Sequence, residues 1–224
     1  MTNRAKFGLS AIAVASAIAL PLMVSWSLPA EAASNVPPAK LTVPANGHRE
    51  VAVLAGGCFW GMEGVYEHVK GVSDVTSGFA GLRAAGANYE LVSTGTTGNA
   101  EAVRISFDPT KVSYAELLRI YFSVAHDPTE LNRQGPDTGT QYRSAIFPQS
   151  AAQAKVAKAY IAQLQKAHVF GEPIVTRIES GGFTAAEDYH QDFMRKNPNY
   201  PYIVFNDRPK VAALKQQFPT YWKG

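Results

Sequence analysis

Apolar and polar positions change period several times along this chain, and each change marks a predicted element. Val51-Ala52-Val53-Leu54-Ala55 is a continuous apolar run that stops at Gly56-Gly57, the pattern of a buried strand entering a tight turn. Phe59, Met62, Tyr66 and Val69 then recur at helical spacing, with Glu63, Glu67 and Lys70 on the opposite side. Val72, Val75 and Gly78 to Gly81 predict a second strand, which runs into a long Gly/Ala/Ser/Thr-rich loop reaching Asn99. Val103, Ile105 and Phe107 alternate with Arg104 and Ser106 until Asp108-Pro109, so a half-buried strand is expected there.

Ser113 and Glu116 form a capping-box pattern ahead of Leu117, Leu118, Tyr121, Phe122 and Ala125, which predicts a second helix. His126 to Tyr142 is a second long polar loop, and Ser144 to Phe147 a short strand. Ser150 with Gln153 opens a third helix through Val156, Tyr160, Ile161 and Leu164, ended by Gly171. Ile174 to Glu179 follows as a strand, and Thr184 with Glu187 is expected to start a last helix. The order strand, helix, strand, strand, helix, strand predicts an α+β fold, a ferredoxin-like split β-α-β sandwich with long active-site loops and C-terminal additions. Two loops longer than about 12 to 15 residues are unusual in one compact domain and point to function.

The N-terminus has a different pattern. Arg4 and Lys6 precede an apolar stretch from Phe7 to about Val24, and small residues around Ala30-Glu31-Ala32 are spaced for cleavage. Residues 1–32 are therefore expected to be a secretory signal peptide, with export to a bacterial periplasm and no stable membrane insertion after cleavage. Residues 33–48, rich in Ala, Pro and Asn, are expected to form a flexible tether. Residues 49–224 are expected to be a single catalytic domain, large enough to bury its own core.

Loss of Arg4, Lys6 and Glu31 takes the 21 basic and 18 acidic residues to 19 and 17, a net charge of +2. Such a balance gives no footprint for nucleic acid or an anionic membrane surface. Five scattered histidines and one cysteine lack metal-ligand spacing, so neither a metal nor a bound cofactor is expected.

The single cysteine, Cys58, lies where the first strand gives way to the first helix. A thiol at a helix N-terminus faces unpaired N–H groups, which favour the thiolate. Chemistry and simple burial as a small hydrophobe both remain open on local context. Phe59 and Trp60 offer an aromatic wall beside the sulfur. Glu101 sits among Ala100, Ala102 and Val103, where a partly desolvated carboxyl can hold a proton to donate; an ordinary solvated carboxylate is the alternative. Tyr89, Asp137 and Tyr142 lie in or beside the two polar loops, with turn formation and core packing as their simpler roles.

Several unusual strings occur together: Gly57-Cys58-Phe59-Trp60-Gly61, Tyr89-Glu90, Ser93-Thr94-Gly95-Thr96-Thr97-Gly98, Ala100-Glu101-Ala102-Val103, His126-Asp127-Pro128-Thr129 and Gln141-Tyr142-Arg143-Ser144. In this order, from about Val51 to Tyr202, the chain resembles the A-class peptide methionine sulfoxide reductases. The resemblance implies that Cys58 is the nucleophile and Glu101 the acid, with Tyr89 and Tyr142 donating hydroxyls to the sulfoxide oxygen. Phe59 and Trp60 would cage the methyl group, and Asp137 would orient site groups or water. It also implies reduction of the S epimer of methionine sulfoxide, in oxidised proteins and peptides or free, through a Cys58 sulfenic acid. Many relatives carry further cysteines that attack this intermediate, whereas Phe218 to Gly224 contains none. A one-cysteine form is expected, a monomer recycled by an external thiol such as thioredoxin or a related dithiol protein. A noncatalytic redox sensor is the competing class, and a Cys58 hydrolase using His126 or His190 is a weaker one.

Overall fold

The computed structural model describes residues 36–45 and 47–224. The expected leader, 1–32, lies outside these residues, as do 33–35 and Asn46 of the expected tether.

Alternation in the first strand sets the two faces of the sheet. In β1 (Glu50–Ala55), Ala52 and Leu54 enter the main core while Val53 and Ala55 join a smaller cluster on the other face. Helix α1 (Phe59–Glu67) and β2 (Val72–Gly81) follow, then the short α2 (Tyr89–Ser93) and β3 (Ala100–Phe107). Helix α3 (Tyr114–Ile120) begins at the expected cap, where Ser113 Oγ accepts the Glu116 N–H at 3.1 Å. A π-helical turn, Tyr121–Ala125, completes the apolar segment. The second polar loop contains the hairpin β4 (Arg133–Gln134) and β5 (Asp137–Thr138), then a 3-10 turn at Thr140–Tyr142. Next come β6 (Ala145–Phe147), the Ser150-capped α4 (Ala151–Lys166), β7 (Arg177–Ile178) and β8 (Gly182–Ala185). The chain ends through α5 (Phe193–Lys196), a π-helical turn at Ile203–Asp207 and α6 (Arg208–Gln217).

The main sheet has the order β7-β6-β1-β3-β2-β8, antiparallel except for the β6–β7 pair. Its middle four strands, β6-β1-β3-β2, with α1 and α3 as crossovers, form the expected split β-α-β unit. β7 and β8 extend the two edges. Apolar residues of α1, α3 and α4 pack with Leu54, Phe79, Val103 and Ile105 in one continuous core. The opposite face carries a smaller cluster in which Ala55, Ala80, Ala100, Ala102 and Ala145 pack with Val53 and Phe147.

Three expectations differ from the structure. Thr184 does not start a helix: Gly182–Ala185 pairs antiparallel with β2, and only a 3-10 turn at Asp188–His190 follows. The open edge of β2 offers unpaired backbone groups, and satisfying them outweighs the local capping pattern. The strand expected over Ile174 to Glu179 contracts to Arg177–Ile178. From Val36 to Lys40, the segment read as tether is held against α3 and α4. Arg119 Nε donates to Val36 O, Tyr160 Oη to Pro37 O and Gln163 Nε2 to Pro38 O, at 2.6 to 2.9 Å, while Val36 is 2% exposed. A segment without periodicity is thus fixed by side-chain donors reaching its carbonyls.

Candidate active site

Cys58 is the N-cap of α1, without a side-chain cap hydrogen bond, and is 7% exposed. The preceding turn requires glycine: Gly57 has φ +86°, and a Cβ there would lie 2.5 Å from Gln134 Cγ. Strand β1, this turn and the first turn of α1 therefore deliver the sulfur to one place beside the second polar loop.

Glu101 reaches the same place from β3. It shares strand parity with Val103, Ile105 and Phe107, so it projects onto the helix-covered face, paired across the sheet with Phe79. Its Oε2 accepts the Phe59 N–H at 3.1 Å, which caps the helix that begins at Cys58. The side chain is buried, and burial raises its pKa to about 8 against the lowering effect of that bond. Nearby Asp137 and Asp207 add to the rise. Glu101 is thus a protonated acid at neutral pH rather than a solvated carboxylate.

Cys58 departs from the expected thiolate. Burial raises its pKa well above the ordinary range, and Asp207 and Asp137, with Glu101 once it ionises, push the same way, while the Trp60 N–H opposes them. The helix terminus acts in the expected direction and is outweighed by desolvation and three carboxyl groups. The sulfur rests as a thiol.

The two loops bring the phenols in. Asn88 caps α2, which starts at Tyr89, and Tyr89 lies with its ring centroid 4.4 Å from that of His190. Tyr142 ends the 3-10 turn of the second loop. Burial raises both phenols, and Glu101, Cys58 and Asp137 in their ionised forms raise both further, so these groups share one electrostatic environment. Asp137 accepts a hydrogen bond from Tyr202 Oη. Burial lifts the Asp137 pKa, whereas that bond and Lys210 lower it.

Phe59 and Trp60 differ in exposure and surroundings. Phe59 is 1% exposed and packs on Phe79 and His190, so its ring backs the wall of the site. Trp60 is half-buried, stacked on Phe193 at 3.8 Å and 9°, with Tyr200 and Tyr202 edge-on. Its Nε1–H donates to His190 Nδ1 at 3.2 Å. His190 therefore holds the indole. His126 bonds Tyr121 O at 3.0 Å and Ser144 Oγ at 2.7 Å and, with its pKa pulled down to about 4 by burial, is a neutral structural group.

Arg143 locks the loops together. It forms a bidentate pair with Glu179 at 2.9 and 2.8 Å and donates to Thr140 O and Gly98 O. A surface cleft of about 590 Å³ between Leu82, Thr97 and Ile178 contains none of the site residues. Among the described residues, no cluster of three or more His, Cys, Asp or Glu is placed to hold a metal. Sequence reasoning missed Tyr202, Phe193 and Asp207. Asn206-Asp207 before Arg208-Pro209 has only the pattern of a helix start, and nothing local in it points to Cys58.

Known proteins place the same chemistry in context. The profile of the peptide methionine sulfoxide reductase family matches residues 50–221. The chain is 59% identical over 174 residues to a peptide methionine sulfoxide reductase MsrA of Mesorhizobium japonicum, covering 77% of this chain and 89% of that protein. A Synechocystis MsrA is 52% identical over 170 residues, covering 75% and 79%. Among solved structures, reduced Mxr1 from Saccharomyces cerevisiae has a TM-score of 0.61 at 34% identity, covering 72% of this chain and 92% of its own. Methionine sulfoxide reductase A of Corynebacterium diphtheriae has a TM-score of 0.58 at 32% identity, with 75% and 86% covered. The chain belongs to the A-class peptide methionine sulfoxide reductase family, enzymes that reduce the S epimer of methionine sulfoxide and are recycled by thiols.

Proposed function

We propose that Cys58 is the nucleophile and Glu101 the acid of this reductase, in a cycle that an outside thiol must close. The Glu101 Oε2 to Phe59 N–H bond carries the reading, because it fixes a protonated carboxyl beside the single cysteine. With Oε2 held by the amide, Oε1 carries the proton. Glu101 gives it to the sulfoxide oxygen, Cys58 sulfur attacks the sulfoxide sulfur, and the thiol proton returns to Glu101. The hydroxyl then passes from the methionine sulfur to the Cys58 sulfur, so that its S–O bond to methionine and the transient S–S bond both break, methionine leaves with the S–S electron pair, and Cys58 holds the oxygen as a sulfenic acid; cysteine sulfur is oxidised by two electrons and methionine sulfur reduced by two. Tyr89 and Tyr142, kept as neutral phenols, are suited to donate hydrogen bonds to the polarised oxygen. Trp60 and its aromatic neighbours form the wall for the methyl group, with Phe59 behind it and Asp137 held by Tyr202 at the second loop.

The single cysteine supports recycling in two steps from outside. One thiol displaces water from the sulfenic acid to form a mixed disulfide, and a second thiol then releases Cys58 and leaves as the oxidised donor. A dithiol protein of the thioredoxin type fits that sequence. The basic, apolar and small-residue pattern of residues 1–32 supports export to a periplasm.

The test is a single turnover on a methionine S-sulfoxide peptide without reductant. One equivalent of methionine and one trappable sulfenic acid per chain are expected, and neither with Cys58→Ser. Oxidation of Cys58 by peroxide but not by the sulfoxide would favour a sensor and overturn the assignment.

A further inference from the structure

Asp207 precedes α6 in the position of its N-cap, yet it makes no cap hydrogen bond and is fully buried. It is turned instead against α1. A Cβ built on Gly61 would lie 2.2 Å from Asp207 Oδ1 and 3.0 Å from Lys210 Nζ, so only glycine leaves room for this pair. Gly61 belongs to the first turn of α1, the helix capped by Cys58. Lys210 Nζ meets Oδ1 at 3.3 Å, while Oδ2 is buried without a partner. A pair serving stability alone would satisfy both oxygens, because an unpaired buried carboxylate oxygen is costly.

We propose that Asp207, held by Lys210 in the space left by Gly61, is a positioning residue whose charge reinforces burial in keeping Cys58 a thiol and Glu101 an acid until the sulfoxide is bound. This rests on the roles assigned above to those two residues. The groups electrostatically coupled to Cys58 are Glu101 from β3, Asp137 from β5, Asp207 from the turn before α6, the phenols of Tyr89, Tyr142 and Tyr202, and the Trp60 N–H. Lys210 is a cation that acts on two members of this set, Asp207, which it meets, and Asp137. The negative charge of Asp207 raises both the Cys58 thiol and the Glu101 carboxyl. Asp207 itself is lifted to about 6 by burial, with Lys210 opposing, so it is mainly ionised at neutral pH.

The experiment is iodoacetamide alkylation of the single cysteine across pH, without sulfoxide, for wild type and Asp207→Asn, with thermal melts alongside. The midpoint is expected to move to lower pH in the variant, with alkylation below the midpoint faster by about three- to tenfold. A folded variant with an unmoved or raised midpoint overturns the proposal. A purely structural Asp207 would lower the melting temperature without moving that midpoint. Should Asp207→Asn not fold, ¹³C-Asp titration of the wild type decides, before and after peroxide converts Cys58 to a fixed anionic sulfinate. Coupling is reciprocal, so Asp207 must then titrate at higher pH, and an unchanged titration overturns the proposal. Because alkylation needs no turnover, its outcome is distinct from failure of Cys58→Ser to abolish reduction.

Discussion

The Glu101 carboxyl accepts the backbone N–H of Phe59 at 3.1 Å, so the proposed acid and the helix capped by the proposed nucleophile, Cys58, form one hydrogen-bonded unit. With burial holding Glu101 near a pKa of about 8, the acid form is abundant at neutral pH and is lost above that value. Single-turnover reduction should fall as pH rises through about 8. Glu101→Gln keeps an acceptor for the amide and removes the proton, so the rate should drop by about 10²- to 10⁴-fold and lose that limb. Stopped-flow traces of both proteins across pH check this, and an unchanged rate in the variant would remove Glu101 from its role.

The same carboxyl makes a prediction for folding with a definite sign. Its pKa is raised from an ordinary 4.5 to about 8. Its contribution to stability is therefore fully present below 4.5 and is lost as pH rises through about 8, because the folded state resists giving up the proton. Urea unfolding at pH 5 and pH 8.5 should show Glu101→Gln gaining on the wild type by on the order of a few kcal/mol. Parallel pH curves for the two proteins would contradict the buried acid.

His126 gives the opposite limb. Its folded pKa is depressed to about 4 from 6.5, so its contribution is present above 6.5 and lost as pH falls through about 4. The imidazole underlies the turn before Cys58: a Cβ on Gly56 would lie 2.9 Å from its Cγ. Denaturant scans between pH 7 and pH 4 should show a loss of stability that is smaller in His126→Gln. Loss of the same size in both would assign acid sensitivity to other groups.

Local pattern made much of this molecule legible. The β1 run, the Gly56-Gly57 stop and the α1 spacing place Cys58 at its junction, and strand parity with Val103 and Ile105 carries Glu101 to the same face. What was hidden depends on elements distant in sequence. Edge pairing with β2 turned Thr184 from a helix cap into a strand residue, and Arg119, Tyr160 and Gln163 fixed the Pro-rich segment after Val36. The thiol of Cys58 was misjudged because its helix terminus is visible locally, whereas Asp137 and Asp207 arrive from other parts of the chain. Tyr202, His190 and Phe193 join the site by the same long-range route.

Arg143 shows how the two long loops can carry chemistry without being free to move. Its guanidinium spans Glu179, Thr140 O and Gly98 O, joining the segment before Glu101 to the turn that ends in Tyr142. Thr140 Oγ1 to Gly95 O at 2.9 Å and Gln141 Nε2 to Ser93 O at 3.1 Å continue the seam. Lysine supplies a point charge but not the planar fork, so Arg143→Lys should separate the loops while keeping net charge. Arg143→Met would also leave Glu179 without its guanidinium and should destabilise the fold by on the order of 3 kcal/mol. For Arg143→Lys, slower single turnover and a raised KM are expected, with faster amide exchange across Ser93 to Gly98 and Thr140 to Tyr142. A lysine variant with wild-type exchange and turnover would show that the remaining loop bonds suffice and that Arg143 is not the clamp.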